Sequence, residues 1–141
     1  MKVTIDKLKH EDYRLIPSLY ADSFNETPWS TDWYTIDQFD QDANWIASVN
    51  DKAVGFLISS ISKEIPYISV IGVIQSEQGL GIGRKLIRQS IDYWEEKGYT
   101  SVRIHVNKEK HYVKHLYEAM GFNVINEDDE DYEMIRKTQE A

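Results

Sequence analysis

Hydrophobic positions change their period several times along the chain, and each change marks a new element. Val3 and Ile5 alternate with polar neighbours and predict a first strand. Leu15, Ile16, Leu19, Tyr20 and Phe24 then recur at helical spacing, with Pro17 inside the pattern, so the helix kinks or restarts there. A second short helix opens at Ser30 as its cap, with Trp33, Tyr34 and Phe39 on the apolar side. Trp45 to Val49 and Val54 to Ile61, joined by Asn50-Asp51, predict a hairpin because the turn residues tolerate positive φ. A turn from Lys63 to Pro66 leads into Tyr67 to Ile74, a run apolar enough to be shielded on both faces.

After a glycine-rich turn, Leu86, Ile87, Ser90, Ile91 and Trp94 keep to one side of a helix that Gly98 ends. Val102, Ile104 and Val106 alternate with Arg103 and His105, a strand with two unlike faces. Val113, Leu116, Tyr117 and Met120 form the stripe of a last helix closed by Gly121. Phe122 to Ile125 and Tyr132 to Lys137 predict a closing hairpin around the five consecutive acids from Glu127 to Asp131, which read as a solvated turn or as a docking site for a cation. No linker or repeat interrupts this alternation. Residues 1–141 are expected to form one domain of α/β class.

Composition narrows the partners. With 24 acidic against 16 basic side chains the net charge is −8, so a broad nucleic-acid surface is not expected. The chain has no Cys, which removes disulfides, thiolate nucleophiles and sulfur-ligated metals. No apolar run reaches the ~18 residues a membrane span requires. The charged, strand-like start is unlike a signal sequence, so a cytoplasmic protein is expected.

The turn Gln78-Gly79-Leu80-Gly81-Ile82-Gly83-Arg84 carries the candidate chemistry. Glycines at alternate positions between a buried strand and a helix start let backbone N–H groups converge on an anion, where the helix dipole adds positive potential. Arg84 and Lys85 run against the usual preference for acids in a first turn, and with Arg88 they suit a bound pyrophosphate. The alternative is a tight strand-to-helix turn with ordinary surface cations. Spacing excludes the dinucleotide and triphosphate loops: a G-x-G-x-x-G run counted from Gly79 ends on Arg84, and no G-x-x-x-x-G-K run exists.

The string from Gln78 to Gly83 fits the acetyl-CoA motif of the GCN5-related N-acetyltransferase superfamily, Gln or Arg, two residues, Gly, one residue, then Gly or Ala. Leu116-Tyr117-Glu118-Ala119-Met120-Gly121-Phe122 resembles that family's L-Y-E-x-x-G-F ending, and the order of elements fits over nearly the whole chain. The resemblance implies a mixed, mostly antiparallel central sheet with splayed central strands and helices on both faces. It implies acetyl-CoA as co-substrate and no metal, with the pantetheine arm pairing with backbone near Ile71 and Val73 and the pyrophosphate on the amides of Leu80 to Arg84. Tyr117 would be the general acid for the CoA sulfur, against a plain reading as a core aromatic. His105 would be the base, since imidazole titrates near neutrality and some relatives hold a glutamate base there; Glu64 or a water chain is the reserve.

The chain departs from the pattern where Gln75 replaces a proline, and where Lys110 stands in place of a cofactor-contacting Asn. Either Asn107 or Lys110 could serve CoA. Phe24, Trp29, Trp33 and Tyr34 could line the acceptor pocket or pack onto the sheet. The expected function is acetyl transfer to a primary amine, cationic in view of the charge, on a small molecule, a protein N-terminus or a lysine. A CoA-binding sensor without catalysis is the alternative, a cofactor-free acidic interaction domain is a third reading, and dimerisation through the last strands stays open.

Overall fold

The computed structural model describes residues 2–24, 43–109 and 111–138. The expected helix from Ser30, with Trp29, Trp33 and Tyr34, and the position Lys110 lie outside the described residues. The first strand, β1, is Val3–Lys7, and a 3-10 turn over His10–Leu15 precedes α1, Ile16–Phe24. Pro17 falls in the first turn of α1, where its missing N–H costs nothing, so the chain restarts there as expected.

Two hairpins follow, built from β2 (Trp45–Val49), β3 (Lys52–Ser62) and β4 (Ile65–Val73). Asn50 and Asp51 sit at φ 52° and 64° and close the first with a two-residue turn, as their chemistry predicts. Lys63 and Glu64 do the same at 52° and 66° without any turn-favouring residue. Pro66 is therefore inside β4 rather than in the turn. The turn expected from Lys63 to Pro66 is thus only two residues long.

A 3-10 turn, Gln75–Glu77, and the glycines lead to α2, Ile82–Glu96, then β5 (Ser101–Asn107), α3 (His111–Ala119), β6 (Asn123–Glu127) and β7 (Asp131–Lys137). Leu86, Ile87, Ile91 and Trp94 of α2 are fully buried, each stabilising the fold by about 1.5–3 kcal/mol relative to exposure. Gly98 and Gly121 end α2 and α3 in the left-handed region, at φ 92° and 94°. Among the described residues, seven strands form one sheet in the order β1-β2-β3-β4-β5-β7-β6. Every pairing is antiparallel except β4 with β5.

Helices cover both faces. Gly72 approaches α1 so closely that a Cβ there would stand 2.9 Å from Ser23 Oγ, whereas one on Gly55 would meet Leu86 of α2 at 3.4 Å. These glycines point to opposite faces, because Gly55 pairs with Val73 and Phe56 with Gly72. Strand β4 is not shielded on both sides: Tyr67, Ile71 and Val73 are half-buried and Ser69 is exposed. The acidic run spans the β6–β7 turn, where Asp128 Oδ1 accepts the N–H groups of Asp131 (2.7 Å) and Glu130 (2.8 Å) and its carboxyl is held below its ordinary range by those bonds. Among the described residues, no helix is long and apolar enough to cross a membrane.

Candidate active site

The partly open face of β4 follows from two irregularities in its pairing. Against β3 the register jumps from Ile58↔Val70 to Ser59↔Ile68, which leaves Ser69 as an extra residue. Against β5 only Tyr67↔Arg103 and Ile68↔Ile104 pair, and beyond them the two parallel strands part. The bulge also exchanges faces. Judged from the unbroken alternation of β3, Gly72 and Val70 look toward α1, and after the bulge it is Tyr67 that does so, opposite Ser60, while Ile68 looks toward α2.

The fork opens a cleft of about 600 Å³ that runs through the sheet. Tyr20, Ser23 and Phe24 of α1 line it on one face, and Leu116 and Tyr117 of α3 line it on the other. Between them lie the open edge of β4 from Ile68 to Val73, the end of β5 from Ile104 to Asn107, and the glycine turn. Of the residues expected to bind cofactor, Ile71, Val73, Gln78, Gly79, Gly81, Ile82, Gly83, Arg84 and Asn107 line this cleft. Leu80 does not. Its side chain is 52% exposed, so only its amide remains available for the expected role.

The glycines differ in why they are there. Gly79 and Gly81 are left-handed, at φ 82° and 85°, with open space where a Cβ would stand. Gly83 is helical, and a Cβ on it would touch only Leu116 at 3.8 Å. Gly81 caps α2 without a side-chain acceptor, and the first bond of the helix runs from Lys85 N–H to the Gly81 carbonyl at 3.1 Å. The N–H groups of Ile82, Gly83 and Arg84 therefore have no acceptor within the helix. This donor set, with Arg84 in the cleft wall, fits the diphosphate of a coenzyme A ester, and the unpaired edge of β4 fits its amide-bearing arm.

Gln78 is used structurally. Its Nε2 donates to the Val73 carbonyl at 2.8 Å and to the Ser23 carbonyl at 3.2 Å. Gln75 adds two more ties, its N–H to Asp22 Oδ1 (2.8 Å) and its Nε2 to the Asp22 carbonyl (3.0 Å). The residue found where a proline is usual thus fastens the turn to the end of α1 by hydrogen bonds.

Tyr117 is 2% exposed, with its ring 5.6 Å from that of Phe122. Burial disfavours the phenolate and pushes the phenol well above its ordinary pKa, so the proton stays in place through the neutral range. His105 lies across the sheet, because it alternates with the buried Ile104 and Val106. Its side chain is 57% exposed and its ring stacks on Tyr67 at 5.7 Å, with the planes 11° apart. Glu64, the reserve base, occupies the β3–β4 turn and does not line the cleft. Asn107 Oδ1 accepts the Glu109 N–H at 2.8 Å, which fixes its amide at the cleft rim.

Sequence reasoning missed Tyr67 and Glu133. Glu133 pairs with His105 across β5 and β7, and its Oε2 accepts the Tyr67 hydroxyl at 3.0 Å. The available signal was weak: an acid inside the alternating run Tyr132 to Lys137. Among the described residues, no group of three His, Cys, Asp or Glu could hold a metal ion.

The sequence model of the Acetyltransferase (GNAT) family matches residues 7–122. The [ribosomal protein bS18]-alanine N-acetyltransferase of Escherichia coli (strain K12) is 28% identical over 96 residues, which cover 68% of this chain and 65% of that enzyme. The chain thus spans just under two thirds of that curated relative. A mycothiol acetyltransferase of Beutenbergia cavernae is 32% identical over 92 residues, 62% of this chain and 30% of the relative. Among solved structures, that of the ribosomal-protein-S18-alanine N-acetyltransferase from Escherichia coli superposes with a TM-score of 0.84 over 99% of this chain and 96% of the other, at 23% identity.

Proposed function

The chain belongs to the Acetyltransferase (GNAT) family, and from that premise we propose that it transfers the acetyl group of acetyl-CoA to a primary amine. One observation carries the reading. A glycine-built helix start, an unpaired strand edge and a buried tyrosine open on the same cleft, and that cleft passes through the sheet. Donor and acceptor can therefore enter from opposite faces.

Acetyl-CoA supplies an activated acyl group on a thiol leaving group. The amides of Ile82 to Arg84 and the Arg84 side chain hold its diphosphate, while the open edge of β4 near Ile71 and Val73 aligns its arm and offers an N–H to the negative charge growing on the carbonyl oxygen. His105 removes a proton from the incoming ammonium group so that the nitrogen lone pair can attack. Tyr117 gives its phenolic proton to the departing sulfur. In the same dry pocket a thiolate is also poorly solvated, which favours that transfer.

The acceptor enters on the α1 face, past Tyr20, Phe24 and His105. One relative is named for the alanine of a ribosomal protein and the other for mycothiol, so neither acceptor is carried over to this chain. A cationic amine suits the net charge of −8, which concentrates cations around the molecule.

Two measurements test the proposal. Acetyl-CoA at 100 times its dissociation constant is expected to stabilise the protein by ~2.7 kcal/mol in thermal unfolding. A panel of amines, peptide N-termini included, is expected to contain members that release free thiol from acetyl-CoA. Stabilisation without thiol release from any amine would mean a binding module instead of an enzyme, and the absence of both would overturn the proposal.

A further inference from the structure

One oxygen on the α1 face accepts a hydrogen bond and lies within ion-pair distance of two basic side chains. Glu133 Oε2 accepts the Tyr67 hydroxyl at 3.0 Å, lies 3.6 Å from Arg103 Nη1 and lies 3.8 Å from His105 Nε2. These groups come from β4, β5 and β7, and two cross-strand pairs align them: Tyr67 with Arg103, and His105 with Glu133. The carboxylate is 16% exposed, whereas the imidazole it faces is 57% exposed and lines the cleft. The bulge at Ser69 is what turns Tyr67 to this face, so the cluster exists only because β4 is irregular.

We propose that Glu133 is a positioning residue for His105, fixing the imidazole with Nε2 toward its carboxylate and leaving Nδ1 to take the proton of the acceptor amine. This rests on the reading of His105 as the base. Two features separate the cluster from an ordinary cross-strand ion pair. Such pairs contribute little when both partners reach solvent, yet here the acid is held in place by a phenol that has no charge to neutralise. The ring of that phenol is also the surface on which the imidazole stacks, so Tyr67 fixes both members at once.

The charge balance gives the cluster a direction. When His105 accepts a proton, a new cation appears beside Arg103, and Glu133 offsets it. Among the described residues, the charged or titratable groups facing His105 are Tyr67 from β4, Arg103 from its own strand, Glu133 from β7 and Asp128 from the β6–β7 turn. Removing the Glu133 charge leaves Arg103 unopposed, so the imidazolium becomes easier to deprotonate. The neutral base then appears at lower pH. Its orientation is lost, and with it part of the rate.

The experiment follows the imidazole of His105 by NMR titration, assigned by comparison with His105→Gln, and records thiol release against pH with a saturating amine. In Glu133→Gln the imidazole signals of His105 are expected to change over at lower pH than in the wild type, because Arg103 is left unopposed beside it. The rising limb of kcat/KM should move in the same direction, and the plateau kcat should fall about tenfold, while the thermal shift caused by acetyl-CoA stays unchanged. Glu133→Asp keeps the charge but draws it back, and is expected to show a smaller move in the same direction; it serves as well if the Gln variant does not fold. An imidazole titration that does not move in a folded variant would overturn the proposal. A rising limb that survives in His105→Gln would instead overturn the assignment of the base, and the NMR titration would still decide whether Glu133 governs the ring.

Discussion

The two sides of the cleft are built from different materials, each suited to the part proposed for it. On the side of α2 and α3, Tyr117 is 2% exposed in an apolar wall. On the side of α1, the His105 side chain is 57% exposed among Tyr67, Arg103 and Glu133. As the proposed proton donor to sulfur, Tyr117 has to keep its proton until the bond breaks, and burial suits it to that part by disfavouring the phenolate. The proposed base for a charged amine has to be reachable from water, and the exposure of His105 meets that need. The dry side follows from two helices and one turn, each local in sequence. The wet side needs three strands and a bulge.

The sharpest way to break this division is Tyr117→Phe. The ring and its packing on Phe122 remain, and only the proton is lost. Thiol release is expected to fall by about 10² to 10⁴-fold, while stabilisation by acetyl-CoA stays as in the wild type. Unimpaired turnover would remove Tyr117 from the mechanism and leave it as a core aromatic.

A second substitution asks whether the two sides are independent. Gly72→Ala places a Cβ 2.8 Å from Phe56 Cε1 and 2.9 Å from Ser23 Oγ, so α1 has to move. Overpacking of this kind costs about 1–3 kcal/mol in urea or thermal unfolding. Asp22 and Ser23 also hold Gln75 and Gln78 at the start of the glycine turn. Acetyl-CoA is therefore expected to bind more weakly, although the substitution lies on the acceptor face. Unchanged binding in a destabilised protein would show that the turn keeps its shape without α1.

These contrasts explain what could be read from the sequence. The glycine turn, α2 and the stripe of α3 were legible because each depends on neighbours within a few turns: spacing, caps and one apolar face. The parted strands and the placement of His105 at the cleft came with the family resemblance, and the fork itself shows as only two paired residues between β4 and β5. The turn at Lys63 was expected, but its two residues do not announce how tight it is, so Pro66 was assigned to the wrong side of its far boundary. The bulge at Ser69 has no local signal either. Without it Tyr67 would face α2, and the meeting of Tyr67 with Glu133 is a contact between residues 66 positions apart. Half of the site was thus written locally. The other half depends on register, which sequence alternation alone does not reveal.

The smallest predicted effects distinguish two glycines that look equivalent in the string. Gly81 is left-handed at φ 85° and caps α2, so Gly81→Ala has to hold a Cβ in a conformation that costs about 1–2 kcal/mol, or else abandon the turn. Gly83 is helical, and its substituent would meet only Leu116 at 3.8 Å, an ordinary contact. Gly83→Ala replaces a poor helix former by the best one and is expected to stabilise the fold by up to about 1 kcal/mol. Thermal unfolding of the two variants should therefore move in opposite directions, with acetyl-CoA binding weakened in the first and kept within a few-fold in the second. That asymmetry accounts for a motif that accepts Gly or Ala at the position of Gly83 but only Gly at that of Gly81. Equal losses in both variants would mean that the bare backbone at Gly83 is needed for close approach of the diphosphate, and the donor side of the cleft would then be tighter than the open space around its glycines indicates.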